Sequence, residues 1–244
     1  MPKIVVNDVE IDCKLVLYDL DGTLVDKEFR NITLAKTRYM AIEKVVGREA
    51  ATRWAKLSGV DPESFSVDDD GPLSKAPRKE DLTVATTAIW LNKLNWFKAK
   101  ELAKEAYALA DTEQIRRYVP KLIDGVIESL ASLKEAGLLL GIATNGSGKT
   151  AREIMVSIGV DGFFDVYVGA DDVNEGKPEP DMILEACDRL DVFPSEAVYV
   201  GDELVDAIAG SSAGVTEIII VSREPDVSAF TELVIDSVAC IKPK

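Results

Sequence analysis

The hydrophobic pattern of the chain alternates between short apolar runs and longer stretches in which apolar residues recur every three or four positions. Short continuous runs are typical of strands buried on both faces of a parallel sheet. They lie at residues 14–19, 138–144, 165–170, 197–202 and 217–222, and 233–239 is a candidate edge strand. Helical stretches at 122–136, 149–158 and 180–190 separate them. This alternation predicts an α/β fold with a doubly wound, Rossmann-like parallel sheet, preceded by a hairpin over residues 3–12.

One long segment interrupts the alternation. Residues 25–118 contain no buried-strand run, and their apolar spacing predicts helices over 28–46, 48–57, 79–93 and 96–110. A loop between a strand and a helix usually has ~2–6 residues, so this segment is too long to be one. We therefore predict an α/β core of residues 1–24 and 119–244 and an inserted all-helical domain of residues 25–118.

Composition narrows the function classes. The chain has 28 basic and 43 acidic residues, a formal net charge of −15, and no histidine. The acidity disfavours nucleic acid and anionic membranes as partners, because both are bound through Lys and Arg. The lack of histidine excludes Ser-His-Asp triads and histidine metal ligands. Acidic residues at the N-terminus, where a signal peptide is apolar, favour a cytoplasmic location.

A pair of carboxylates marks the end of the first long apolar run. Asp19 ends the run, Asp21 follows two residues later, and Gly22 permits a tight turn. Side chains two residues apart in an extended chain point the same way, so both carboxylates project from the carboxyl end of a strand, where open α/β sheets bind ligands. Close carboxylates repel unless a cation intervenes, and oxygen ligands favour Mg²⁺.

The stretch IATNGSGKT (142–150) admits two interpretations. Its last eight residues fit a relaxed nucleotide-binding loop in which Ala143 replaces the usual Gly. Alternatively, Thr144 and Asn145 end a strand, and free N–H groups at the following helix start, with a hydroxyl, form an anion site. Lys149 is expected on the solvent face of that helix.

Two further loops after apolar runs carry charged residues. Lys177 is followed by Pro178, which constrains the loop. Asp202 directly follows another run, and Asp206 comes four residues later, so both can lie on one face of a helix start.

Taken in order, the stretches DLDGT (19–23), TN (144–145), KP (177–178) and GDELVD (201–206) resemble the motifs of the haloacid dehalogenase-like hydrolase superfamily. The resemblance extends from Leu15 to about residue 214, and the helical insertion is similar to the cap of that family. It implies a Mg²⁺-dependent phosphatase acting on a small phosphorylated metabolite, of the phosphoglycolate phosphatase or beta-phosphoglucomutase type. The cap would select the substrate.

The resemblance implies phosphoryl transfer to a carboxylate. Asp19 would attack phosphorus and form an aspartyl-phosphate, while Asp21 would protonate the leaving oxygen and then activate water. Asp19, the backbone carbonyl of Asp21, and Asp202 would hold Mg²⁺.

The remaining motif residues would bind and orient the phosphoryl group. The Thr144 hydroxyl and the Asn145 N–H would contact its oxygens, and Lys177 would supply positive charge. Asp206 would support Lys177 or the metal. Glu203 stands where the family more usually has a small residue, and we expect it to point away from the metal.

Asp21 favours phosphatase or phosphomutase chemistry, because dehalogenases of this family generally lack a second Asp. A phosphomutase acting on a hexose phosphate remains an alternative with the same intermediate. A nucleotide-binding protein built on residues 143–150 is a more remote one, since it leaves the other three motifs unexplained.

Overall fold

The structure, a computed structural model, describes residues 2–117, 120–221 and 225–244. It divides into two compact units, one of Met1–Asp26 and Pro120–Lys244 and the other of Lys27–Val119. Tyr118 and Val119, at the predicted end of the insertion, lie outside the described residues. Within the described part of the chain, no helix is long and apolar enough to span a membrane.

Strands and helices follow the predicted order. The strands are β1 (Lys3–Val6), β2 (Val9–Asp12), β3 (Leu15–Tyr18), β4 (Leu139–Thr144), β5 (Val166–Gly169), β6 (Ala197–Gly201), β7 (Glu217–Ile220) and β8 (Lys242–Pro243). The helices are α1 (Lys27–Val45), α2 (Arg48–Leu57), α3 (Pro72–Lys75), α4 (Arg78–Trp90), α5 (Trp96–Arg117), α6 (Val126–Glu135), α7 (Gly148–Ser157), α8 (Asp181–Arg189) and α9 (Leu204–Ala213).

A five-stranded parallel sheet forms the centre of the first unit, with strand order β5-β4-β3-β6-β7. Every residue of β3 and β6 is buried, which explains their continuous apolar sequences. Val16 and Tyr18 of β3 pack in a cluster with α6 and α7, whereas Leu15 and Leu17 pack in a cluster with α8 and α9. Helices therefore cover both faces, which confirms the predicted doubly wound fold.

The chain ends build a second, smaller sheet. The predicted hairpin is present as β1 and β2, with positive φ angles at Asn7 and Asp8, and β8 pairs antiparallel with β1. The prediction of an edge strand over residues 233–239 is wrong. Of these residues, only Val234 bridges β7, and a 3₁₀ turn follows over Val238–Cys240, where the Ser237 hydroxyl accepts a hydrogen bond from the Ala239 N–H.

In its described residues, the second unit is built of helices, with a single isolated bridge between Val60 and Val67, and it encloses a buried ion pair in its own apolar core. Arg38 of α1 donates to Asp81 of α4, and their side chains are 7% and 2% exposed. The Tyr107 hydroxyl donates to the other carboxylate oxygen of Asp81 at 2.8 Å, and the Trp54 indole donates to Tyr107 at 3.1 Å. This network links α1, α2, α4 and α5.

Replacement of Asp81 by Ala should lower the free energy of unfolding by about 3–5 kcal/mol, because Arg38 stays buried without its carboxylate. Urea denaturation followed by circular dichroism measures the change. The control is Glu101→Ala, which breaks the exposed pair with Lys98 and should cost less than about 1 kcal/mol. Equal effects of the two substitutions would contradict this account of the buried pair.

Candidate active site

The carboxyl ends of the three central strands bring the predicted site residues to one edge of the sheet. Asp19 directly follows β3, and its N–H donates to the Val200 carbonyl at 2.8 Å, which extends the pairing with β6. Thr144 ends β4 and Asp202 follows β6. Because β4 and β6 both flank β3 in parallel, the three side chains emerge at the same edge.

A tight turn after Asp19 carries Asp21 and depends on Gly22. The Gly22 N–H donates to the Val25 carbonyl at 2.8 Å, and Gly22 has φ +93°, a conformation that residues with a side chain rarely adopt. A Cβ atom at this position would also overlap the carboxylate of Asp202. Glycine is therefore required both by the turn and by the close approach of a carboxylate from β6.

Lys177 lies at the centre of the site with all three N–H groups of its ammonium engaged. It donates to Asp19 Oδ1 at 2.6 Å, to Asp206 Oδ1 at 2.7 Å and to the Tyr199 hydroxyl at 2.9 Å. The residue is 8% exposed. Burial alone would lower the pKa of Lys177, but Asp19 and Asp206 outweigh it and hold that pKa well above its ordinary value. The side chain is thus a fixed positive charge.

Asp206 uses both of its oxygens inside the protein. Its Oδ1 accepts from Lys177, and its Oδ2 accepts from the N–H groups of Asp202 and Glu203 at 3.1 and 3.0 Å. A Cβ atom at Gly201 would overlap the Asp206 side chain, so this glycine makes room for it. The arrangement suits Asp206 to orient Lys177 and the turn that carries Asp202.

Three carboxylates lie close enough to hold a cation. Oxygens of Asp19, Asp202 and Asp206 lie within 4.8 Å of one another. Since Asp206 is engaged as described, Asp19 and Asp202 are the side chains best suited to ligate a metal. All donors are carboxylate oxygens, a donor set that fits Mg²⁺.

The pKa of Asp19 also favours a cation at this site. Burial raises the pKa of its carboxyl to about 7; Lys177 opposes this rise, whereas Asp206 and Asp21 add to it. One ammonium therefore does not neutralise the carboxylates around Asp19. A divalent cation would supply the missing positive charge and favour the ionised form of Asp19.

The Asn145 side chain holds the loop that carries Lys177. Its Oδ1 accepts from the Lys177 N–H at 2.8 Å, and its Nδ2 donates to the Lys177 carbonyl at 3.1 Å. The neighbouring Thr144 hydroxyl accepts from the Gly146 N–H at 3.2 Å. The two residues predicted to bind phosphate thus have different local partners.

The N-terminus of α7 is not a free anion site, contrary to the sequence-based expectation. Asp171 already occupies it, because its carboxylate accepts from the Gly148 N–H at 2.8 Å and from the Ser147 hydroxyl at 2.7 Å. The Lys149 side chain is 83% exposed and lies 3.9 Å from Glu153. A nucleotide phosphate at this helix end would have to displace the protein's own carboxylate.

Sequence reasoning missed Tyr199 and Asp171. Tyr199 is a polar residue inside an otherwise apolar strand, two positions before the Gly201-Asp202 turn, and that position was a usable signal. Asp171 follows β5 in an acidic loop and carries no local signal of its contact with α7. Glu203 precedes the first residue of α9, and the expectation that it points away from a metal remains a prediction.

Substitution of Gly22 by Ala should remove the stabilisation that Mg²⁺ gives, because the new methyl group displaces Asp202. Thermal unfolding with and without MgCl₂ measures that stabilisation. Gly159→Ala is the control, since Gly159 also has positive φ but no atom lies within 4 Å of the added Cβ. That variant should lose about 1–2 kcal/mol of stability and keep its response to Mg²⁺. An undiminished response in Gly22→Ala would contradict the assignment.

Comparison with known proteins identifies the family of this chain. The haloacid dehalogenase-like hydrolase family matches residues 16–220. Validoxylamine A 7'-phosphate phosphatase of Streptomyces hygroscopicus subsp. limoneus is 31% identical over 204 residues, 83% of each chain. Phosphoglycolate phosphatase of Escherichia coli K12 is 27% identical over 213 residues, 83% of this chain and 79% of the enzyme.

A solved structure has the same fold. The crystal structure of a predicted phosphoglycolate phosphatase from Haemophilus somnus 129PT superposes with a TM-score of 0.67 at 22% identity, covering 93% of this chain and 95% of that one. The resemblance inferred from the four motifs is therefore confirmed, and the chain belongs to the haloacid dehalogenase-like hydrolase family, as a phosphatase.

Proposed function

We propose that this phosphatase is a Mg²⁺-dependent phosphomonoesterase that works through an aspartyl-phosphate on Asp19. The observation that carries the proposal is the contact of the buried Lys177 ammonium with Asp19 Oδ1, in a site where an oxygen of Asp202 lies within 4.8 Å. That contact fixes the carboxylate and leaves its second oxygen, Oδ2, as the attacking atom. A nucleophile held in one orientation lowers the entropic cost of reaching the transition state.

In the first half of the reaction, Asp19 Oδ2 attacks phosphorus and the bond to the ester oxygen breaks. Asp21, in its protonated form, donates its proton to that oxygen, so the product leaves as a neutral alcohol. The phosphoryl group is now bound to Asp19 as an acyl phosphate. The second carboxyl group is needed because Asp19 acts as the nucleophile and cannot also protonate the leaving oxygen, which is the task of Asp21.

In the second half, Asp21 is a carboxylate and acts as a base. It takes a proton from a water molecule, whose oxygen attacks phosphorus and breaks the bond to Asp19 Oδ2. Inorganic phosphate leaves, Asp19 returns as a carboxylate and Asp21 is again protonated. The second half therefore breaks the bond to Asp19 that the first half made, and both carboxyl groups return to their starting protonation states.

The residues around the phosphoryl group would stabilise its charge. Asp19, Asp202 and the carbonyl of Asp21 would hold Mg²⁺, which supplies positive charge next to the phosphoryl oxygens. The Thr144 hydroxyl and the Asn145 N–H would donate to those oxygens. Lys177 adds a fixed positive charge beside the nucleophile.

The names of the relatives indicate a class of substrate and not an individual compound. One relative is named for phosphoglycolate and another for validoxylamine A 7'-phosphate. We infer a small phosphorylated metabolite, either a phosphoglycolate-like acid or a sugar phosphate.

The purified protein should hydrolyse p-nitrophenyl phosphate with Mg²⁺ and lose this activity in EDTA. Asp19→Asn should reduce kcat by at least roughly 10³-fold, because the amide is a poor nucleophile, while the melting temperature shows that the fold persists. Lys149→Ala should retain wild-type kcat, since its side chain is exposed on α7. Wild-type rates in Asp19→Asn would refute the nucleophile assignment, and tight ATP binding lost in Lys149→Ala would instead favour a nucleotide-binding loop.

Incubation with a hexose 1-phosphate separates hydrolysis from phosphoryl migration. We expect free phosphate and free sugar, detected by a phosphate assay and by phosphorus NMR. Conversion to the hexose 6-phosphate, with little free phosphate, would identify a phosphomutase that uses the same Asp19 intermediate.

A further inference from the structure

We propose that Tyr199 is the positioning residue for Lys177, and that its hydroxyl group sets the direction of the ammonium toward Asp19. This inference rests on the proposed role of Lys177 in phosphoryl transfer. It adds a residue outside the four motifs to the machinery of the reaction.

The Tyr199 hydroxyl connects Lys177 to the strand that carries the phosphate-binding residues. Tyr199 is fully buried in the middle of β6. Its oxygen accepts from Lys177 Nζ at 2.9 Å, and its proton is directed to the Ala143 carbonyl at 3.0 Å. Ala143 immediately precedes Thr144, so one hydroxyl links β6, the Lys177 loop and the end of β4.

The direction of the hydroxyl proton follows from its surroundings. Asp206 Oδ1 is a second acceptor at 3.3 Å, but the Ala143 carbonyl is closer and Asp206 Oδ1 already accepts from Lys177. Burial raises the pKa of Tyr199 well above its ordinary value. The hydroxyl therefore stays protonated and can both accept from Lys177 and donate to the backbone.

Counting protons shows why a neutral acceptor suits this position. An ammonium has three N–H groups, and two of those on Lys177 are taken by Asp19 and Asp206. The third needs an acceptor because an unsatisfied donor in a buried site is costly. A third carboxylate would add more negative charge beside a nucleophile that must meet an anionic substrate. The phenol satisfies the N–H without that charge.

Tyr18 provides a matched control in the same sheet. It lies on β3, directly before Asp19, and is as deeply buried as Tyr199. Its ring packs in the cluster with α6 and α7, on the opposite face of the sheet from Tyr199. Within the described residues, its hydroxyl has no hydrogen-bond partner. Tyr18→Phe therefore removes a buried hydroxyl next to the site without removing a hydrogen bond.

The test compares steady-state kinetics of the full-length chain on p-nitrophenyl phosphate with Mg²⁺. Tyr199→Phe should lower kcat roughly tenfold, the consequence of one unsatisfied buried donor, and leave KM within about twofold. Tyr18→Phe should match the wild type in both constants. Melting temperatures of both variants establish that the fold is intact. An unchanged kcat in Tyr199→Phe, or equal losses in the two variants, would overturn the inference.

A double-mutant cycle distinguishes positioning of Lys177 from a general structural effect. If Tyr199 acts through Lys177, the variant carrying both Lys177→Met and Tyr199→Phe should have the same residual kcat as Lys177→Met alone. A further tenfold loss in the double variant would show that the hydroxyl acts independently of Lys177 and would refute the proposal. If the wild type shows no Mg²⁺-dependent hydrolysis, the proposed function itself fails. Activity in the wild type with no effect of Tyr199→Phe defeats only this inference.

Discussion

The buried positive charge of Lys177 is the constraint on which the rest of the active site depends. An ammonium removed from water must have every N–H satisfied and its charge compensated, or it would lose its proton or leave the interior. Asp19, Asp206 and Tyr199 meet these requirements from three different elements. The Asn145 amide fixes the backbone of the same lysine. The parallel order β4-β3-β6 is what brings these partners to one edge of the sheet.

The same site carries an excess of negative charge. Burial and the neighbouring carboxylates raise the pKa of Asp19 even with an ammonium in contact. Glycines at positions 22 and 201 increase the crowding, because each admits a carboxylate where a Cβ atom would stand. Such an arrangement contributes little to stability on its own, and packed apolar clusters on both faces of the sheet support it. In the proposed mechanism, it would provide a preorganised place for a cation and a phosphoryl group.

The Gly-Lys-Thr of residues 148–150 shows how a short motif depends on its surroundings. A helix N-terminus binds anions only while its N–H groups are free. Here Asp171, 23 residues away from Gly148, accepts from that N–H and from the hydroxyl of Ser147. Thr144 and Asn145, three to four residues before Gly148, lie instead at the carboxyl end of β4, at the edge of the sheet where the candidate active site is. The nucleotide-like pattern therefore does not by itself provide a free anion site at this helix end.

The sequence by itself determined the order of the strands along the chain and the helical insertion, because strands buried on both faces appear as continuous apolar runs. It also predicted the acidic motif residues, which directly follow those runs. It could not determine that residues 233–239 make only an isolated bridge to β7, at Val234, before a 3₁₀ turn begins at Val238. It also could not identify Tyr199 as a partner of Lys177, or Asp171 as the partner of Gly148. Tyr199 and Asp171 are separated from them by more than 20 residues, and only the packing of β6 and of the loop after β5 decides those contacts. Local patterns record which residues are buried, whereas hydrogen bonds between distant segments exist only once the chain has folded.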